Sequence, residues 1–175
     1  MIIVLFKFEE EFYRQRQIQA ACVGHPLIDL VNPLSKQQDF LDSFGINPTK
    51  KIIALLPGSR KQEVKLILPL MLKAAGLINK VICETQFIIA KSPNLDTQIY
   101  QDECKKQSLD VKIINGRTYD CLNIAQASLV CSGTATLEAS IMQKPFVIVY
   151  KTNLFNYLLY RPQIKIPYKI GRAHV

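Results

Sequence analysis

At 175 residues and 49% hydrophobic composition, the chain can bury a sizeable core, which excludes a disordered linker and suits one domain plus part of another. Its net charge of +8 and pI near 9.3 favour anionic partners, but the cations are scattered without interleaved aromatics, so no nucleic-acid partner is expected. No apolar run reaches the ~18 residues that span a bilayer, and five cysteines without CxxC spacing, beside two histidines, point to a reducing compartment and no metal site.

Residues 1–6 (MIIVLF) are too short for a secretory apolar region and run straight into Lys7, Glu9, Glu10 and Glu11, so they read as a core strand. A helix over 9–17 and a strand over 19–23 follow, until Gly24-His25-Pro26 breaks the pattern. Asn32-Pro33 and Asn47-Pro48 then bracket a segment in which Ser35 and Gln38 have the S-x-x-Q spacing of a helix start. The chain therefore divides into residues 1–31, a linker over 32–49, and a larger domain over 50–168. In the larger domain strands and helices alternate with short connections, the pattern of a parallel α/β sheet. Strands are predicted at Lys51–Leu56, 87–90, 111–114, Ala127–Cys131 and 146–150, and helices at 61–80, 95–107, 119–125, 135–142 and 153–160. Pro69 should kink or divide the first of these helices. Cys22 and Cys131 lie in apolar runs and read as small buried hydrophobes.

Two strand-to-helix turns carry the chemistry. The apolar run Lys51–Leu56 ends in Pro57-Gly58-Ser59-Arg60, where Gly58 relaxes the turn, Ser59 and Gln62 match a capping box, and Arg60 offers a bidentate fork to phosphate oxygens. The run Ala127–Cys131 ends in Ser132-Gly133-Thr134 at the start of the next helix, where unpaired backbone N–H groups and the macrodipole favour an anion. Glu138, one turn on and on the same face, can lean back toward that site, and a carboxylate beside a phosphate pocket suits a ribose diol. Taken singly, each turn is equally an ordinary helix cap beside a solvated arginine or a dipole-complementing glutamate. Two such turns in one sheet favour the ligand, since parallel α/β sheets bind at the carboxyl ends of their strands.

The order Phe8-Glu9-Glu10-Glu11-Phe12-Tyr13, Val23-Gly24-His25-Pro26-Leu27, Leu55-Leu56-Pro57-Gly58-Ser59-Arg60 and Ser132 to Glu138 resembles the lipid-A-disaccharide synthase family. The resemblance implies a GT-B glycosyltransferase with two Rossmann-like domains facing across a cleft. Residues 50–168 would be its nucleotide-sugar-binding domain, incomplete at its end, and residues 1–31 a remnant of the acceptor-side domain. Such enzymes transfer diacylglucosamine from UDP to a diacylglucosamine 1-phosphate acceptor with inversion, release UDP, use no cofactor, and are peripheral to the cytoplasmic face of the inner membrane of Gram-negative bacteria. The resemblance also leaves room for a homo-oligomer. It assigns the diphosphate to Gly58, Ser59, Arg60, Ser132, Gly133 and Thr134, and the ribose to Glu138. Asn115, Gly116 and Arg117, at another strand end, are weaker candidates for the uracil, and Lys151 is a further one. His25 matches a motif near the family's cleft, though packing serves a histidine before proline as well and is slightly favoured.

The general base is expected in the part of the first domain that this chain lacks, and Glu9, Glu10 and Glu11 are poor substitutes on a surface helix. Another UDP-sugar GT-B enzyme, either an epimerase or the peptidoglycan glycosyltransferase, is an alternative, as is a non-catalytic nucleotide- or RNA-binding α/β module. The run from Lys169 through Ile170-Gly171-Arg172-Ala173-His174-Val175 is what a common short-read sequencing adapter encodes in one frame. Residues 169–175 are accordingly expected to be a non-native tail.

Overall fold

The chain divides into two compact units, Met1–Val31 and the residues from Asn32 onward. The first is a small parallel βαβ arrangement. Strand β1 (Ile2–Val4) and strand β2 (Ala20–Cys22) pair in parallel with Ile3 opposite Ala21, joined by helix α1 (Lys7–Arg14) and followed by the short helix α2 (Leu27–Leu30). Helix α1 starts two residues earlier than the sequence suggests because Glu9 works at its entrance: Oε2 accepts the N–H groups of Leu5 and Phe6 at 3.2 and 3.1 Å. It ends at Arg14, short of residue 17, where Gln17 adopts a left-handed φ of 59°. The expectation of a core strand over residues 1–6 is corrected. Only Val4 of β1 is buried and Ile3 is 64% exposed, since a two-stranded sheet gives its apolar residues few neighbours.

A computed structural model describes residues 1–107 and 109–151. Its second unit contains α3 (Gln37–Phe44), β3 (Lys51–Leu56), α4 (Lys61–Val81), β4 (Thr85–Lys91), α5 (Thr97–Cys104), β5 (Val111–Asn115), α6 (Thr118–Ile124), β6 (Ala127–Cys131), α7 (Thr134–Ile141) and β7 (Phe146–Val149). The five strands form one parallel sheet in the order β5-β4-β3-β6-β7. Strand β3 is central, and its alternate residues serve different cores. Ile53 and Leu55 pack with Val64, Leu68 and Met71 of α4, whereas Ile52, Ala54 and Leu56 face Phe40 of α3, Leu122 of α6 and Ala139 of α7. A strand buried on both faces must be apolar at almost every position, which is why KIIALL is legible as one.

The strand order reverses direction between β3 and β6. From β3 the chain steps outward through β4 and β5, then returns to place β6 on the other side of β3, with Leu56 opposite Val130. This switch point, at the carboxyl ends of two adjacent strands, leaves a crevice between the turns that follow them.

Several local expectations change. Pro69 does not divide the helix: α4 is one 21-residue element around it. The N–H that proline lacks would have reached the carbonyl of Lys65, an exposed residue, and the buried residues Val64, Ile67, Leu68, Met71 and Leu72 hold both sides of it to the sheet. Neither predicted S-x-x-Q box forms, because each helix begins one residue later, with Arg60 and Lys36 at the N-cap positions. Helix α5 is shorter than 95–107, starting behind Asp96, whose carboxylate accepts the Gln98 N–H at 3.0 Å. Cys131 is buried as expected, but Cys22 is only half-buried, and Cys121 has no exposure at all. The predicted helix over 153–160 and the tail 169–175 lie outside the described residues.

Candidate functional site

The crevice at the switch point is a cavity of about 500 Å³, and Gly58, Ser59, Arg60, Ser132, Gly133, Thr134 and Glu138 all line it. The first three come from the β3–α4 turn, Ser132 and Gly133 from the β6–α7 turn, and Thr134 and Glu138 from α7 itself, so the starts of α4 and α7 open onto one space. The first turn of a helix presents N–H groups with no intrahelical partner, and two such ends together make a strongly anion-seeking pocket.

In the β3–α4 turn, Gly58 takes a φ of 107°, and a Cβ there would fall 2.8 Å from Glu63 Oε2 and 3.2 Å from Glu63 Cβ. Glycine is therefore required twice, for backbone conformation and for space. Glu63 stands at the third position of α4, where its Oε2 accepts the Arg60 N–H at 3.4 Å and its Oε1 accepts from Arg60 Nη1 at 2.6 Å. The Arg60 side chain is otherwise open, at 81% exposure. Arg60 and not Ser59 holds the N-cap position of α4, and the Ser59 hydroxyl makes no hydrogen bond among the described residues and remains at the cavity wall.

In the β6–α7 turn the Ser132 N–H donates to the Val149 carbonyl at 3.0 Å, tying the turn to β7. Gly133 is extended, and nothing lies within 4 Å of where its Cβ would be, so the cavity reaches its backbone. Glu138, one turn into α7, accepts the Tyr119 hydroxyl on Oε1 at 3.3 Å. Burial pushes the Glu138 carboxyl above the ordinary glutamate range, against the lowering effect of that hydrogen bond, and burial followed by the Glu138 charge raises the Tyr119 phenol. Burial, then the Glu63 charge, likewise raises the Cys131 thiol, so at neutral pH it is a small apolar wall element rather than a nucleophile.

The weaker candidates at the end of β5 do not line the cavity. Asn115 Oδ1 accepts from Lys91 Nζ at 3.0 Å, and the Gly116 N–H donates to the Lys91 carbonyl at 3.0 Å. Arg117 donates through Nε to Asp120 Oδ2 at 2.8 Å and through Nη2 to the Ser35 hydroxyl, and lies over the Phe40 ring. Its guanidinium compensates a carboxylate that is 2% exposed, a demand that outranks a loosely placed ligand contact. Lys151 is exposed beyond β7 and does not border the cavity. In the first unit, His25 packs its ring on Phe6 with centroids 5.4 Å apart and accepts the Leu27 N–H on Nδ1 at 3.2 Å.

Sequence reasoning missed Glu63, Thr118 and the pair Ser92 and Pro93 at the cavity wall. Ser92 and Pro93 follow the end of β4, so the rule that found the two main turns also covers them. Glu63 was available as an acid three residues beyond an arginine at a helix entrance. Among the described residues, no group of three His, Cys, Asp or Glu could hold a metal ion.

A five-stranded parallel sheet with a crevice at its switch point defines a Rossmann-like domain of the GT-B kind. Solved structures with this fold include a glycosyltransferase from Rickettsia africae ESF-5, at TM-score 0.54 and 10% identity, covering 83% of this chain and 43% of that one. Another is a co-structure of S. aureus MnaA with UDP, at TM-score 0.56 and 15% identity, covering 76% of this chain and 36% of that one. The family described as Lipid-A-disaccharide synthetase matches residues 1–174, and the chain belongs to that family. Its relatives include lipid-A-disaccharide synthases of Syntrophus aciditrophicus (strain SB), 40% identical over 98% of this chain and 45% of the relative, and of Geobacter sulfurreducens, 32% identical over 98% and 44%. Lipid-A-disaccharide synthase 2 of Legionella pneumophila (strain Lens) is 35% identical over 96% of this chain and 44% of its own. The chain thus spans less than half the length of these curated relatives.

Proposed function

We propose that this chain carries the donor-nucleotide half of an inverting glycosyltransferase that moves diacylglucosamine from UDP to a diacylglucosamine 1-phosphate acceptor. The observation that supports this reading is the convergence of Arg60, the starts of α4 and α7, and Glu138 on one cavity in a chain of this family. The acceptor hydroxyl attacks the anomeric carbon, the bond from that carbon to the β-phosphate oxygen breaks, and the electron pair leaves with UDP. The acceptor proton passes to a general base. Negative charge grows on the departing diphosphate, and preorganised N–H groups with a guanidinium stabilise it without reorganising. The Glu138 carboxylate accepts from the ribose hydroxyls and so fixes the nucleotide's position.

In this reading the enzyme works at the cytoplasmic face of the inner membrane, where both lipid substrates present their sugar headgroups. No helix among the described residues is long and apolar enough to cross a membrane. Calorimetric titration of the chain with UDP, uridine and pyrophosphate tests the reading. UDP should bind more tightly than either part, and Arg60→Ala should remove about 1.5 to 3 kcal/mol of the phosphate contribution. Equal affinities for UDP and uridine would reject the diphosphate site.

A further inference from the structure

We infer that Glu63 is the positioning residue of the diphosphate turn, acting through Arg60 and Ser59 rather than touching the ligand; this rests on the nucleotide reading above. Three observations meet at this carboxylate. It accepts the Arg60 N–H and so caps α4, it holds Arg60 Nη1 at 2.6 Å, and it fills the space beside the backbone of Gly58 that a Cβ would need. Each has a consequence for a phosphate.

Glu63 accepts the Arg60 N–H at the helix entrance, with Arg60 rather than Ser59 at the N-cap, and the Ser59 hydroxyl beside it is not drawn into capping the first turn. The ion pair restrains an arginine whose side chain has no other hydrogen bond among the described residues and is otherwise free to sample many rotamers in solvent. An arginine has five N–H donors, so the pair uses one edge and leaves donors for a phosphate. The Glu63 side chain occupies the space that a Cβ on Gly58 would need, so the close approach of turn and carboxylate depends on glycine at a φ of 107°. The carboxylate also carries a negative charge near the ligand, and its ordering of the turn must outweigh that repulsion. Because Arg60 neutralises it at contact distance, the residual field at the phosphate is that of a dipole and falls off steeply.

The test is a double-mutant cycle on the 175-residue chain, with UDP and uridine as probes. Glu63→Ala should weaken UDP binding about tenfold and leave uridine unchanged, the effect of removing one charge-assisted hydrogen bond. Glu63→Gln, which keeps the cap and loses the ion pair, should fall between the two. In an Arg60→Ala background, Glu63→Ala should cost less than about threefold, because its main route to the phosphate is gone. Additive losses, or equal loss of UDP and uridine, would reduce Glu63 to a helix cap. Tighter UDP binding in Glu63→Gln would make it an internal competitor for Arg60. Either result overturns the inference. If Glu63→Ala fails to fold, the cycle is run with Glu63→Gln, whose amide still accepts the Arg60 N–H. A chain that does not prefer UDP over uridine at all would overturn the nucleotide reading itself, and the inference with it.

Discussion

The Tyr119 hydroxyl donates to Oε1 of Glu138, leaving Oε2 with no hydrogen bond among the described residues, at the edge of a cavity already lined by two helix starts. One oxygen is thereby held by the protein and the other is available to a diol. Glu138→Gln should weaken UDP more than pyrophosphate, since an amide oxygen accepts from hydroxyls less strongly than a carboxylate does. Parallel titrations of the two ligands check this, and equal losses would remove the ribose role.

The same residue should leave a signature in stability against pH. Burial raises the Glu138 carboxyl in the folded chain, so the folded state holds its proton to higher pH than the unfolded state does. Stability contributed by the protonated form is lost as pH rises from the ordinary glutamate value through the raised one. Chemical denaturation across that window should show a negative slope that Glu138→Gln diminishes.

Asp120 should show the opposite dependence. Burial opposes its charge, but hydrogen bonds from Arg117 and from the Ser35 backbone and hydroxyl outweigh it, and the carboxyl is held below the usual aspartate range. Its stabilisation is present above the unfolded value and is lost as pH falls through the lowered one. Asp120→Asn should cost about 2 to 4 kcal/mol at neutral pH, since it strands Arg117. Urea unfolding at neutral and acidic pH measures both effects, and an unchanged midpoint would contradict the network.

Gly58→Ala should lower stability by about 1 to 3 kcal/mol, from a left-handed φ in a residue with a Cβ together with displacement of Glu63. It should also weaken UDP. A variant with wild-type melting and wild-type UDP affinity would show that the turn relaxes freely.

The chain alone should synthesise no disaccharide even while binding UDP. Transfer needs a base within hydrogen-bond reach of the acceptor hydroxyl while the donor is held in line. Incubation with the UDP-linked donor and phosphorylated acceptor tests this. Turnover near ~1 per second would place the base within these residues.

Strands β3 and β6 were legible to the residue because burial on both faces leaves an uninterrupted apolar run. The same runs located the turns behind them, and with them Gly58, Ser59, Arg60, Ser132, Gly133, Thr134 and Glu138 among the residues that line the cavity. The start of α4 at Lys61 was legible but its cap was not, since Arg60 holds the N-cap with Glu63 as its partner, in place of one of the short polar residues that ordinarily mark it. The surroundings of Arg117 were not legible in the sequence. Its partners include Ser35, distant in the chain and brought near only by the packing of α3 against α6, and no local pattern encodes that meeting.

The reversal of strand order has a consequence for biosynthesis. During vectorial synthesis the β3–α4 turn emerges early, but its counterpart cannot join it until Val130 has been added and has paired with Leu56. The nascent polypeptide therefore passes through a stage in which half of the anion seat exists without the other half. On the nucleotide reading proposed above, binding is thus linked to the finished sheet and not to any earlier intermediate.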